Sequence, residues 1–573
     1  MNSSRSLRFL SILILGTLIS TAKAQQATTN KPAAPPQAYP TPAPVSWLPG
    51  ETLEQHDARM AWWRDAKFGM FIHWGLYCIP ADGEWHMRTH KEPYAEYSKL
   101  ASEFNPVKFD ADQWMELAHQ AGMKYVVITT KHHDGFAMFG SKASPYNVVD
   151  ATPFKRDVVK ELSQASPKHD IRFCTYYSFL ADWGHQGGQA GCEHWDPKFQ
   201  DGDKRAYVRG IAIPHLKELL SNYGTIGVVW FDTDGSRDIT PEESKEVIDI
   251  LKTQPQIIVD PRLGGVKGDF ISAEQHMPLT RPKGDWELCG TVNGSWGYTG
   301  AKAKPLEKLL PYMVTAWGMG GNVLMNVGPT REGIIPEDSA ERLRQVGAWL
   351  KLNGESIFGS TAGPFNWVPW GTATRKGDIV YLQVFDWPKD GVLKVPLANK
   401  VTKAWLLADP ERKHLKVTTS DGRLLVHIPE KSPDPIVSVV ALKLEGEPVS
   451  TYTSLSFNKP VTASSEQKPG KCILDGNTGT HWRNNSTNGF FEIDLGKPET
   501  FSRMRIGSSD DVKSYNLEYK DGDVWKPILQ GKSLHRDENL VAFPSLTAQV
   551  VRFSFANDTK APQIGVFELY PEL

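Results

Sequence analysis

Three short apolar runs in this chain end abruptly on titratable side chains: F-G-M-F-I-H-W-G at 68–75, K-Y-V-V-I-T-T-K-H-H-D-G-F at 124–136 and I-G-V-V-W-F-D at 226–232. Runs of that length, rich in β-branched and aromatic residues, read as buried strands. Strand ends from separate positions bring their polar groups together when the strands are parallel neighbours, as at the carboxyl-terminal face of a (β/α) barrel. The surrounding texture agrees. Strand-like segments at 171–177, 257–260, 269–273 and 322–326 alternate with helical ones at 111–121, 158–164, 207–222, 241–253, 306–317 and 336–352, the rhythm of an α/β chain with a parallel sheet. The fold expected over 50–355 is a (β/α)8-like barrel.

A chain of 573 residues exceeds what one core holds, so further domains are required. From about 356 the pattern becomes short strands separated by turns, which predicts an antiparallel β-sandwich over 356–447 and a second all-β block over 448–573. At the other end, Arg5 and Arg8, an apolar run and Ala22-Lys23-Ala24 match a signal peptide at 1–24 and imply a secreted or periplasmic protein. A Pro-, Ala-, Thr- and Gln-rich linker follows at 25–49 and cannot bury enough surface to fold. No segment is long and apolar enough for a membrane span.

The charges nearly cancel, with 64 basic against 66 acidic residues, which argues against nucleic acid as a partner. Nineteen Trp and 17 Tyr suit the C–H faces of sugars, although most must fill cores. Five scattered cysteines lack the density of a disulfide scaffold and are expected to be mostly free and buried.

Period-two geometry puts Val228, Trp230 and Asp232 on one strand face, so Trp230 and Asp232 point together into the barrel mouth. A second acid, Glu274, follows the strand-like G-D-F-I-S-A. Two carboxylates on different strand ends suit glycoside hydrolysis, one attacking the anomeric carbon and the other donating and recovering a proton, with no metal required. Asp234 and Glu287 are the rival carboxylates for the two roles. His132 and His133, as neighbours on an extended strand, face opposite ways, and no H-x-x-x-H or cysteine pattern accompanies them, so a metal site is not expected there.

The strings K-F-G-M-F-I-H-W-G, G-E-W-H-M-R, K-Y-V-V-I-T-T-K-H-H-D-G-F, the Arg156-Asp157 pair, V-V-W-F-D and G-S-W-G-Y closely resemble the α-L-fucosidases of glycoside hydrolase family 29 through about residues 50 to 445. The resemblance implies a retaining exo-acting enzyme on fucosylated glycans, with Asp232 as nucleophile and Glu274 as acid/base. It also implies sugar-contacting roles for His73, Glu84, Trp85, His132, His133, Tyr176, Trp230, Arg262 and Trp296. A catalytically weak fucose lectin, or a retaining enzyme for a related sugar such as α-galactose, is the alternative. L-D-G-N-T-G-T-H-W and F-E-I-D-L-G-K-P make the last block resemble the discoidin, or coagulation factor type C, modules that bind carbohydrate, which implies a jelly roll over 448–573. Trp482 is expected in its core. No cofactor is implied for the reaction. A structural calcium held by Asp475 and Asn477 fits this resemblance, and a tight Asp-Gly turn explains the same residues.

Overall fold

The computed structural model describes residues 46–573 except 190–194, 201, 233–237, 421, 466–469, 476–479, 532 and 559. The predicted signal peptide, almost all of the linker, Asp234, Cys192 and Asn477 therefore lie outside the described residues.

Helix α1 (Leu53–Ala66) opens the ordered chain. Thr52 caps it, and Gln55 returns a hydrogen bond to the Thr52 backbone, so two of the amides that a helix start leaves orphaned are satisfied. Eight parallel strands follow: β1 (Phe68–Ile72), β2 (Tyr125–Lys131), β3 (Arg172–Ser178), β4 (Val228–Asp232), β5 (Ile258–Val259), β6 (Ile271–Glu274), β7 (Trp286–Thr291) and β8 (Asn322–Val327). They pair in the order β5-β4-β3-β2-β1-β8-β7-β6. The sheet is barrel-like, with β5 and β6 as its two edges.

Alternation along each strand divides the core in two. Phe71, Tyr125, Val127, Cys174, Tyr176, Val228, Trp230, Cys289 and Leu324 form the inner cluster. Phe68, Met70, Val126, Ile128, Val229, Phe231, Val323 and Met325 belong to the outer one, with the helices. This outer layer includes α2 (Ala111–Gln120), α3 (Val158–Ala165), α4 (Ile213–Asn222), α5 (Pro241–Leu251), α6 (Leu306–Gly318) and α7 (Glu337–Asn353). Among the barrel strands and helices named above, α1 and β7 went unforeseen in the sequence. Trp286–Thr291 has no apolar run, since Glu287 and Gly290 interrupt it, yet all six residues are buried.

Beyond α7, a five-stranded and a three-stranded antiparallel sheet occupy 361–444, and a seven-stranded sheet occupies 461–570. Trp482 is fully buried and meets Phe491 and Phe555 edge-on. Tyr570 stacks on Tyr452 at 5.0 Å and lies 4.9 Å from Trp367, which joins the last sheet to the middle one. The four described cysteines, Cys78, Cys174, Cys289 and Cys472, are free.

The sheet edges at β5 and β6 are tied by side chains. Arg59, on α1, donates through Nη1 and Nη2 to the Asp269 carboxylate at 2.7 Å each. It also donates through Nε to Glu51 at 2.7 Å and through Nη1 to the Ile257 carbonyl at 2.9 Å. Arg59→Ala should cost about 3–5 kcal/mol, because it leaves buried Asp269 unpaired. A thermal melt that matches wild type would show that the edge strands do not depend on this network.

Candidate active site

The inner residues of β1 to β4 rise to a cavity of about 220 Å³ lined by Phe71, His73, Glu84, Trp85, His132, His133, Tyr176, Trp230, Asp232, Arg262, Glu274 and Trp296. Every residue nominated from the sequence for the two catalytic and nine sugar-contacting roles is in that lining. Its volume is below the ~300–1,000 Å³ of drug-sized pockets, which suits one small sugar ring.

One wall is a ladder of rings. His132 lies parallel to Tyr176 (5.6 Å, 10°), and Tyr176 to Trp230 (5.7 Å, 19°). The Arg262 guanidinium caps the ladder 4.5 Å from the Trp230 centroid. The order follows from register, since Tyr176 and Trp230 are direct partners across β3 and β4. Asp232 ends β4 and accepts from Tyr176 Oη at 3.0 Å.

The same Arg262 donates through Nη2 to Glu274 Oε2 at 2.7 Å and approaches Asp232 Oδ1 through Nη1 at 3.8 Å. Burial works against its charge, but Asp232 and then Glu274 outweigh that, so its pKa ends above the ordinary guanidinium value. The side chain of Asp232 is 17% exposed and that of Glu274 42%, so the first carboxylate lies inside the pocket and the second at its rim.

The histidine tautomers follow from their partners. Asn326 Nδ2 donates to the Trp296 carbonyl at 2.7 Å, which turns its Oδ1 toward His73 Nδ1, also at 2.7 Å. His73 therefore donates from Nδ1 and presents Nε2 as an acceptor. Burial lowers its pKa to about 3, so the ring is neutral. Ser178 Oγ donates to the Ala181 carbonyl and receives His133 Nδ1–H at 2.6 Å, which leaves Nε2 facing Asp232 Oδ2 at 3.7 Å. Burial also holds His132 well below the ordinary imidazole pKa.

Both His132 and His133 line the cavity, contrary to the expectation that they face opposite ways. Strand β2 ends at Lys131, so the pair lies beyond the extended backbone and both rings turn inward, 4.3 Å apart. Their neighbours are structural. Lys131 donates to Asp182 at 2.8 Å, and Asp134 accepts from Tyr97 at 2.9 Å. The Arg156-Asp157 pair is structural too: Arg156 pairs with Glu161, and Asp157 caps α3.

Glu84 accepts from the Gly297 amide at 2.8 Å, and burial raises its pKa. Trp85 meets His133 edge-on at 5.5 Å and carries the Arg88 guanidinium at 4.8 Å. Sequence reasoning did not nominate Phe71, Asn326 or Ser178. Asn326 and Ser178 lie at the polar ends of apolar runs, the same signal that exposed Asp232.

Glu287 is the rival that the structure places elsewhere. It is the second residue of β7, beneath Trp230, where it accepts from Tyr125 Oη at 2.5 Å and Trp230 Nε1 at 3.3 Å. It is not part of the cavity lining. Burial raises its pKa to about 7.

Two groups among the described residues bring metal-type donors together. H-M-R-T-H at 86–90 is a helix-spaced histidine pair that the sequence reading passed over. Asp82 Oδ2 is 2.7 Å from His90 Nε2 and 3.3 Å from His86 Nδ1, so hydrogen bonds account for this exposed group. Glu51 and Asp269, in the second group, are occupied by Arg59. The calcium expectation falls on Asp475, whose two oxygens accept from Thr480 Oγ1 at 3.1 and 2.9 Å.

Residues 47–355 match the family model described as Alpha-L-fucosidase, and residues 460–569 match an F5/8 type C domain. Human tissue alpha-L-fucosidase is 31% identical over 425 residues, 67% of this chain and 89% of that protein. The crystal structure of an alpha-L-fucosidase from Vibrio sp. strain EJY3 superposes with a TM-score of 0.69 at 25% identity, covering 89% of this chain and 98% of the other. A third relative, from Bacteroides thetaiotaomicron, has a TM-score of 0.62 at 29% identity and covers 70% of this chain and 100% of the other. It is described as a GH29 trapped covalent intermediate with 2-fluoro-fucosyl fluoride, obtained with a Glu-to-Gln mutant.

The buried Glu287 carboxyl sets a pH dependence. Its folded pKa of about 7 lies above the unfolded 4.5, so the folded state binds the proton more tightly. The stability this supplies is complete below pH ~4.5 and is lost as pH rises to ~7. Glu287→Gln should remove that slope, and melts between pH 4.5 and 7.5 should fall with pH for wild type more steeply than for the variant. Parallel curves would refute the assignment.

Proposed function

The chain belongs to the α-L-fucosidase family of glycoside hydrolases, and on that premise we propose that it is a retaining exo-α-L-fucosidase acting on terminal fucose of glycans and glycoconjugates. Asp232 attacks the anomeric carbon. As the C1–Oδ bond forms, the C1–O bond to the leaving group breaks and Glu274 gives that oxygen its proton. Water then adds to C1, loses a proton to Glu274 and releases Asp232, so the two inversions restore the starting configuration.

The observation that carries this reading is the shared guanidinium: Arg262 contacts both carboxylates within one cavity. The covalent intermediate described for the Bacteroides relative supports the retaining course. Neutral His73, presenting Nε2 as an acceptor, with His132, His133, Glu84, the Trp85 indole and Arg262, supplies partners for the hydroxyls at C2, C3 and C4. Tyr176 and Trp230 give an aromatic face, and Trp296 with Phe71 covers the C6 methyl. The leader at 1–24 directs the enzyme to the periplasm or outside the cell.

Asp232→Ala should lower turnover of an aryl α-L-fucoside by at least roughly 10³-fold, the scale of losing a covalent nucleophile. Wild-type enzyme should release α-fucose before mutarotation, read by proton NMR; β-fucose as the first product would exclude retention. Azide should restore Glu274→Ala on a good leaving group and yield the α-azide. Rescue confined to Glu287→Ala would move the acid/base role. Faster cleavage of an aryl α-galactoside than of the fucoside would favour the other sugar.

A further inference from the structure

The strand that carries Glu274 is the most exposed of the barrel. Strand β6 has four residues, two of them exposed and two half-buried, whereas β1, β2, β7 and β8 are buried throughout. It pairs with β7 on one side only. Just past Glu274 the chain turns at Gln275 through φ 55°, a left-handed conformation that costs a residue with a Cβ about 1–2 kcal/mol. Such a turn persists where its surroundings hold it.

The holding groups come from outside the barrel. The carbonyl of Leu279, five positions after Glu274, accepts from Arg505 Nη2 in the carboxy-terminal module. The Leu279 side chain fills a notch between Gly507 and Gly565 of that module. A Cβ built on Gly507 would be 2.6 Å from Leu279 Cδ1, and one on Gly565 would be 3.1 Å from it. Arg505 is fixed in its own sheet by Glu568 at 2.7 Å and by Glu538. Two residues on, Arg281 Nη2 donates to the Gly363 carbonyl at 2.7 Å, at the entrance to the middle sheets.

We infer that the carboxy-terminal module positions the acid/base: its Arg505, Gly507 and Gly565 clamp Leu279 and so hold the β6 end with Glu274 over the pocket rim. Leu279 and Arg505 are positioning residues, since neither lines the cavity. The module thus has a part in bond cleavage separate from any glycan it binds. The inference rests on Glu274 being the acid/base.

The test uses full-length protein and the kcat/KM of two substrates. An α-L-fucosyl oligosaccharide has a leaving group that needs a proton; α-L-fucosyl fluoride needs little help. Leu279→Ala leaves the module's own residues intact. It should lower kcat/KM on the oligosaccharide tenfold or more, within the ~10²-fold that a 1 Å misplacement can cost, and change it less than twofold on the fluoride. Leu279→Met should restore the loss. Arg505→Met should show the same selectivity, and circular dichroism would separate it from unfolding of the module. Equal losses on both substrates, or no loss on either, would overturn the clamp. Glu274→Gln is the control for the underlying assignment: if it fails to discriminate between the substrates, the acid role falls whatever Leu279→Ala does.

Discussion

A single guanidinium organises the catalytic end of this protein. Two carboxylates facing one small pocket would repel each other, and Arg262 lies against both, 2.7 Å from Glu274 and 3.8 Å from Asp232. Its planar face rests on Trp230, which fixes the fork in a way that an ammonium on a flexible stem would not. Arg262 follows β5, and Glu274 ends β6. The charge contact therefore also spans the two strands between which the sheet leaves its edges unpaired, aided by Arg262 Nε to Ser272 Oγ at 3.2 Å. Electrostatics and architecture depend on the same side chain.

The deeper wall works by neutrality. His73 and His132 are buried, and burial holds both well below the pH at which imidazole ordinarily charges. Neutral rings add no cation to compete with Arg262 for Asp232, and His73, its Nδ1–H spent on Asn326, keeps Nε2 as an acceptor for a hydroxyl group. The Asn326 amide, oriented by the Trp296 carbonyl, fixes which nitrogen of His73 does which. That precision comes from partners that touch no sugar, so preorganisation extends one layer behind the cavity wall.

Legibility in the sequence followed how strongly each element depends on local pattern. Strands β1 to β4 are buried runs that end in polar clusters, and period-two reasoning aimed Trp230 and Asp232 together. Strand β7 was missed because its burial is tertiary: Glu287 interrupts the apolar run and is tolerated only because Tyr125 and Trp230 satisfy its oxygens. That omission kept Glu287 open as a rival to Glu274. Arg262 gave no signal within P-R-L-G-G and entered only through family resemblance. The outward-inward alternation assumed for His132 and His133 failed because the strand stops one residue earlier, at Lys131. The clamp on Leu279 joins positions 226 apart in sequence, and no local pattern announces it.

The depth of the pocket separates the two halves of a substrate. His73, His132 and His133 are nearly inaccessible at its base, Asp232 is 17% exposed above them, and Glu274 is 42% exposed at the rim. Under the proposed function, a sugar enters with its non-reducing end inward, its glycosidic oxygen beside Glu274 and the rest of the glycan outside. That order of burial is what the proposed cleavage at chain ends requires. Recognition of the leaving group is then left to the rim, where the segment after Glu274 faces solvent on one side and is tied at Leu279 and Arg281 to two different domains. Neither Leu279 nor Arg281 lines the cavity, so the ties that hold this segment are made apart from the rings and histidines below.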